Sequence, residues 1–125
     1  MTKIISSPNC GNSPKMEFLK LFNIAFAKGD VAFLNENVTD DIVWNMIGDK
    51  KLEGIKAFTE ELEKMQSVKA SELILNQIIS HGKEGAVNGV MTMENGKQYA
   101  FSDFYLFQSA KGEKLKEITS YCIKL

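Results

Sequence analysis

The chain contains no arginine: all 15 of its basic residues are lysine, and 16 acidic residues leave a formal charge of -1. Arginine is the usual residue for bidentate recognition of guanine, phosphate and buried carboxylate. Its absence, with lysines scattered along the chain, speaks against a nucleic-acid or nucleotide site. Histidine and cysteine are scarce too. His81 is the only histidine, and Cys10 and Cys122 lie near opposite ends of the 125 residues. Such spacings build neither a zinc site nor a disulfide framework, and no local motif supports a Cys-His nucleophile, so free thiols are expected. Neither a metal nor a cofactor is called for. No apolar run reaches the length of a bilayer span or a signal-peptide core, which predicts a soluble, cytoplasmic protein with no membrane or nucleic-acid partner.

What is present is an ordinary globular composition, 44% hydrophobic and 25% charged. A chain of this size forms one domain and buries roughly two-thirds of its unfolded surface. Residues 1–12 hold Ser6, Ser7, Pro8, Asn9, Gly11 and Asn12, a turn-rich set that predicts an irregular N-terminal arm before a single domain over 13–125. Ser13 followed by Pro14 reads as a helix start, and Phe18, Phe22, Ala25 and Phe26 continue at helical spacing to Gly29. Asp30 then caps a short second helix carrying Val31, Phe33 and Leu34.

After Thr39-Asp40-Asp41, an exposed strand entry, the run Ile42 to Ile47 reads as a buried strand. A third helix begins near Gly54 with Ile55, Phe58, Leu62 and Met65 on one side. From Ser71 the period becomes two, giving strands over 73–80, 86–94, 98–108 and 115–123. Asn95-Gly96 is a two-residue hairpin signal. Helices first and an antiparallel meander last predict an α+β fold, with the helices on one face of a curved sheet. His81, before Gly82, reads as an exposed turn residue.

Within the strand at 98–108, Tyr99, Phe101, Asp103, Tyr105 and Phe107 share one face, while Ala100, Ser102, Phe104 and Leu106 share the other. Neither face has a solvated composition. A carboxylate among aromatics must be paired, hydrogen-bonded or held neutral by a raised pKa, because an unpaired buried charge costs several kcal/mol. Asp103 is therefore the leading candidate for a functional group.

The order of these elements resembles the nuclear transport factor 2-like superfamily and, within it, the SnoaL-like polyketide cyclase group. The matching segments are Ala27-Lys28-Gly29-Asp30, Thr39-Asp40-Asp41-Ile42-Val43-Trp44, Leu52-Glu53-Gly54, Asp103 to Phe107, and Leu115 to Tyr121; together they span Ser13 to the C-terminus. The resemblance implies a cone-shaped α+β barrel, cystatin-like in outline, whose bent mixed or antiparallel sheet wraps the first helix around an apolar pocket. It also implies a homodimer joined through the outer sheet face. By the same resemblance Asp103 matches the carboxyl that ketosteroid isomerases use as a neutral hydrogen-bond donor. The rest of that machinery is missing. The first helix offers Phe18, Phe22 and Phe26 and no tyrosine, and Asn45 and Met46 stand where the isomerase has its general base.

The resemblance further implies that Trp44, Asn88, Val90, Thr92, Phe101, Tyr105 and Ile118 point inward with Phe22, and a buried Trp44 needs a partner for its indole N–H. Three functions follow in order. The first is a small-molecule pocket protein for a small apolar or carbonyl-bearing ligand. The second is an acid/base enzyme of cyclase, dehydratase, isomerase or epoxide hydrolase type, with Asp103 as the catalytic group and Tyr105, Trp44 or Asn88 positioning an oxygen. The third is a dimeric structural or partner-binding module.

Overall fold

In the computed structural model, which describes residues 2–8, 10 and 12–125, the elements in chain order are β1 (Lys3–Ser6), α1 (Pro14–Lys28), α2 (Val31–Glu36), β2 (Val38–Met46), β3 (Lys51–Glu53), α3 (Ile55–Met65), β4 (Ala70–His81), β5 (Glu84–Met93), β6 (Gln98–Phe107) and β7 (Leu115–Lys124). They form one mixed sheet in the order β1-β4-β5-β6-β7-β2-β3. The meander β4 to β7 is antiparallel throughout, while β1 joins β4 and β2 joins β7 in parallel. No helix of the described residues is long and apolar enough to cross a membrane.

The N-terminal arm departs from its predicted irregularity. Lys3–Ser6 pairs in parallel with Glu72–Leu75, and Thr2 Oγ1 donates to the carbonyl of Ala70 at 2.8 Å. A strand this short takes its order from the open edge of β4 rather than from its own propensity, so a turn-rich composition concealed it. Cys10 is buried beyond the strand, its thiol 3.4 Å from the hydroxyl of Ser7. The turn residues Asn9 and Gly11 of the arm, like Met1, lie outside the described residues.

The helical signals act as read. Ser13 accepts a hydrogen bond from the amide of Met16 at 3.2 Å, Pro14 opens α1, and Asp30 accepts from Phe33 at 3.2 Å to start α2. One side of α1 is buried through Leu19, Phe22, Asn23, Ala25 and Ala27. Its phenylalanines meet rings from the sheet in sequence: Phe18 stands 5.6 Å from Phe107, Phe22 6.1 Å from Tyr105 and Phe26 6.0 Å from Trp44. Phe107 and Phe58 are almost wholly buried, and each such side chain contributes about 1.5–3 kcal/mol of hydrophobic stabilisation.

Bulges bend the sheet around α1. The register of β4 against β5 shifts between Leu75 and Gln77, and that of β6 against β7 between Leu106 and Phe107. Gly89 lies opposite the first of these bulges, where a Cβ would stand 1.9 Å from the carbonyl oxygen of Ile74. Only glycine lets the two backbones approach this closely.

Candidate functional site

Between the helices and the concave side of the sheet lies a cavity of about 470 Å³. Phe22, Asn23 and Phe26 of α1, Trp44 and Met46 of β2 and Phe58 and Met65 of α3 form one side. Met91, Met93, Tyr99, Phe101, Asp103 and Tyr105 of the central strands face them, with Ile118 and Ser120 of β7. The turn Ile47-Gly48-Asp49 and Cys122 sit on its rim, where Ile47 and Cys122 are exposed. Four methionines contribute unbranched, adaptable side chains to walls otherwise built largely from aromatic rings and branched aliphatic side chains such as Leu34, Leu73 and Ile118.

One polar pole interrupts these walls. Asp103 Oδ2 accepts from the hydroxyl of Tyr105 at 3.3 Å, and that hydroxyl stands 3.1 Å from Asn23 Nδ2, which donates to it. The same Asn23 amide donates to the carbonyl of Leu19, one turn earlier in α1, at 2.8 Å. Across the strand pair, Ser120 stands opposite Asp103, where its hydroxyl favours the charged carboxyl, while Trp44 Nε1 donates to the Ser120 hydroxyl at 3.0 Å. A chain of side chains thus runs Leu19–Asn23–Tyr105–Asp103–Ser120–Trp44 through three strands and a helix.

Burial lifts the Asp103 carboxyl to a pKa of about 6, against the opposing pull of the hydrogen bonds from Ser120 and Tyr105. Tyr105 is driven well above its usual range, first by burial and then by the nearby Asp103 charge. The Cys122 thiol is raised by the same two causes in the same order. Asp41 is lowered, chiefly by the Thr39 hydroxyl bonded to it at 2.7 Å, but lies out on the exposed strand entry. His81 is likewise exposed, at the end of β4.

The structure brings together Asp103, Trp44, Phe101, Tyr105, Phe22 and Ile118 around this cavity. Asn88, Val90 and Thr92 do not join them. They pair with Ser102, Ala100 and Gln98 and so lie on the outer face, where Asn88 bonds to Gln77 at 2.9 Å. The cause is the turn. A two-residue Asn95-Gly96 loop would set Asn88 opposite Asp103; the chain instead closes through Glu94, Asn95 and Gly96, with the amide of Met93 bonded to the carbonyl of Lys97 and Gly96 at φ 88°. That extra residue slips the register by one and exchanges the faces, leaving Val87, Gly89 and Met91 opposite Asp103, Phe101 and Tyr99.

Asn23 escaped the sequence reading. Its signal was present: a short amide at the i+4 position from Leu19, on the stripe that carries Phe22 and Phe26, where a polar side chain must find partners.

Comparison with solved structures gives matches over most of the chain. A nuclear transport factor 2-like protein of unknown function from Cytophaga hutchinsonii superposes with a TM-score of 0.67 at 23% identity, covering 86% of this chain and 97% of that one. The fold is the nuclear transport factor 2-like fold. An LEH-like epoxide hydrolase from M. tuberculosis shares it at TM-score 0.74 and 16% identity, over 87% of this chain and 82% of that one. A protein described as a SnoaL-like polyketide cyclase from Shewanella denitrificans shares it at TM-score 0.73 and 13% identity, over 89% and 92%. Neither a family model nor a curated protein matches the sequence. At these identities the nuclear transport factor 2-like likeness is one of backbone, and any function must be argued from the cavity itself.

Proposed function

We propose that this chain is a small-molecule pocket protein, whose ligand is mostly apolar and is anchored at one polar group. The observation that carries this is the cavity of about 470 Å³, walled by aromatic rings and methionines with a single hydrogen-bonded pole at Asp103. A site of this kind orients its ligand through a few polar contacts and gains affinity from apolar burial. Native mass spectrometry and thermal shift against a library of small apolar compounds test it. Ligands that raise the unfolding temperature of the wild type and lose that effect in Phe101→Ala support the reading. A library without a single stabilising compound overturns it.

A second reading, acid/base catalysis at Asp103, is favoured by the raised pKa, since a carboxyl near 6 exchanges protons efficiently at neutral pH. It is consistent with the epoxide hydrolase and cyclase chemistry named for two proteins of the same fold. In this reading Asn23 and Tyr105 hold the Asp103 carboxyl in position, while Asn88 lies on the outer face and takes no part. The protein is also proposed to form a homodimer through the outer sheet face, where Phe104, Tyr121 and Ile123 form an exposed apolar patch suited to a two-fold interface.

A further inference from the structure

The hydrogen-bond donors at the polar pole are already engaged. Both hydrogens of the Asn23 amide are taken, by Leu19 and by Tyr105, and the indole hydrogen of Trp44 is taken by Ser120. Because the Ser120 oxygen accepts from Trp44, its own hydrogen is left for the Asp103 carboxyl opposite. The Tyr105 hydrogen goes to Asp103 or to Asn23 Oδ1. What the pole retains for a ligand is acceptor capacity, since a carboxylate offers about four lone-pair sites and at most two are used. Among the described residues lining the cavity there is no lysine or histidine, and the carboxyl groups are Asp103 at the pole and Asp49 at the rim. The rings of Phe22, Tyr105, Phe101 and Trp44 line the same cavity, and aromatic rings attract a cation placed over their faces.

Resting on the pocket reading above, we infer that the ligand is an organic monocation, an amine with an apolar body, whose ammonium group donates to Asp103 among these rings. A cation supplies the counter-charge that the pocket itself does not provide. A ligand whose polar group only accepts, such as a ketone or a carboxylate, finds no free donor at this pole while Asp103 is ionised.

The test uses three probes of one shape, 4-phenylbutylamine, 4-phenylbutan-1-ol and 4-phenylbutanoate, titrated by calorimetry at about pH 8 and about pH 5. An alkylammonium stays charged across this range, so the change in pH reports on the protein. The other titratable groups around the cavity are Tyr99, Tyr105, Cys122 and Asp49, and both Tyr105 and Cys122 are held above their ordinary values. At the higher pH the amine is expected to bind at least about tenfold more tightly than the alcohol, with the carboxylate weakest. At the lower pH, with Asp103 protonated, that preference is expected to shrink to about threefold or less.

In Asp103→Asn the amine and alcohol should bind alike at both values. The wild-type pH profile carries the same information without a variant. An alcohol that binds as tightly as the amine at the higher pH, or an amine preference that survives Asp103→Asn, overturns the ligand class while leaving the pocket standing. Failure of all three probes in a protein that binds other apolar library compounds also overturns the class; failure of probes and library together overturns the pocket.

Discussion

The two faces of the β6–β7 ribbon are both rich in aromatic and aliphatic side chains, yet they are built for different neighbours. On the inner face Phe101, Tyr105 and Ile118 line the cavity with the hydrogen-bonded Asp103, and Tyr105 meets Phe22 of α1 edge to face. On the outer face Phe104, Tyr121 and Ile123 are 53%, 45% and 67% exposed, and Phe104 and Tyr121 pack edge to face on one another at 6.1 Å. The inner rings are held by partners from several elements around a polar centre. The outer rings have no such centre and face outward. Composition alone does not separate the two faces; the presence of a satisfied polar group among the rings does.

The largest expected difference between them is in stability. Trp44 stands between Phe26 at 6.0 Å and Phe58 at 5.6 Å and donates to Ser120, so Trp44→Ala opens the cavity wall and unties one end of the network. A loss of about 3–5 kcal/mol is expected by urea unfolding. A loss of under about 1 kcal/mol would mean that the inner rings are no more constrained than the outer ones.

Next comes the dependence on pH. The folded pKa of Asp103, about 6, lies above the unfolded value near 3.9, so the folded state holds this proton more tightly. Its contribution is therefore most favourable below about pH 4, declines as pH rises through about 4 to 6, and above that leaves a cost of about 3 kcal/mol. Asp103→Asn removes the term. The variant should exceed the wild type in stability at neutral pH by up to about 3 kcal/mol, with the difference vanishing below about pH 4. A wild type that gains on the variant as pH rises through this window would show that the carboxyl is lowered, not raised.

Much of this frame is legible in the sequence because it is written in local chemistry. Ser13-Pro14 and Asp30 start helices by capping, which needs only a few neighbouring residues. The period-two alternation around Asp103 places it with the aromatics whatever the partner strands do, and the demand of Trp44 for a partner is met by Ser120. What was not legible depends on pairing across the chain. Asn88, Val90 and Thr92 hinge on one residue of loop length at Glu94-Asn95-Gly96, and β1 on an edge supplied by a strand some seventy residues later. Asn23 lay between these cases, since its position was readable but its partner Tyr105 was not.

A smaller effect distinguishes Asn23 from a passive core amide. Asn23→Ala removes the donor to the Tyr105 oxygen and the competing acceptor for its hydrogen, at a cost of about 1–3 kcal/mol. The Tyr105 hydrogen is then directed to Asp103 alone, which stabilises the carboxylate and lowers its pKa below that of the wild type. Titration of the Asp103 carboxyl by NMR reads this shift. An unchanged midpoint would mean that Asn23 only fills space.

The smallest effect on the folded chain is expected on the outer face. Neither Phe104 nor Tyr121 lines the cavity, and among the described residues each is paired chiefly with the other, so Phe104→Ser with Tyr121→Ser should cost the isolated chain no more than about 1 kcal/mol. Its consequence should appear in assembly instead. Removing two large rings from the proposed two-fold contact is expected to weaken association, because such anchors carry most of the binding energy of an interface. Sedimentation equilibrium should find the wild type dimeric and the double variant shifted toward monomer, while ligand affinity per chain is unchanged. A wild type that remains monomeric at high concentration would break the contrast between the two faces from the outer side: the exposed rings would then be surface without a partner copy, and only the inner face would carry function.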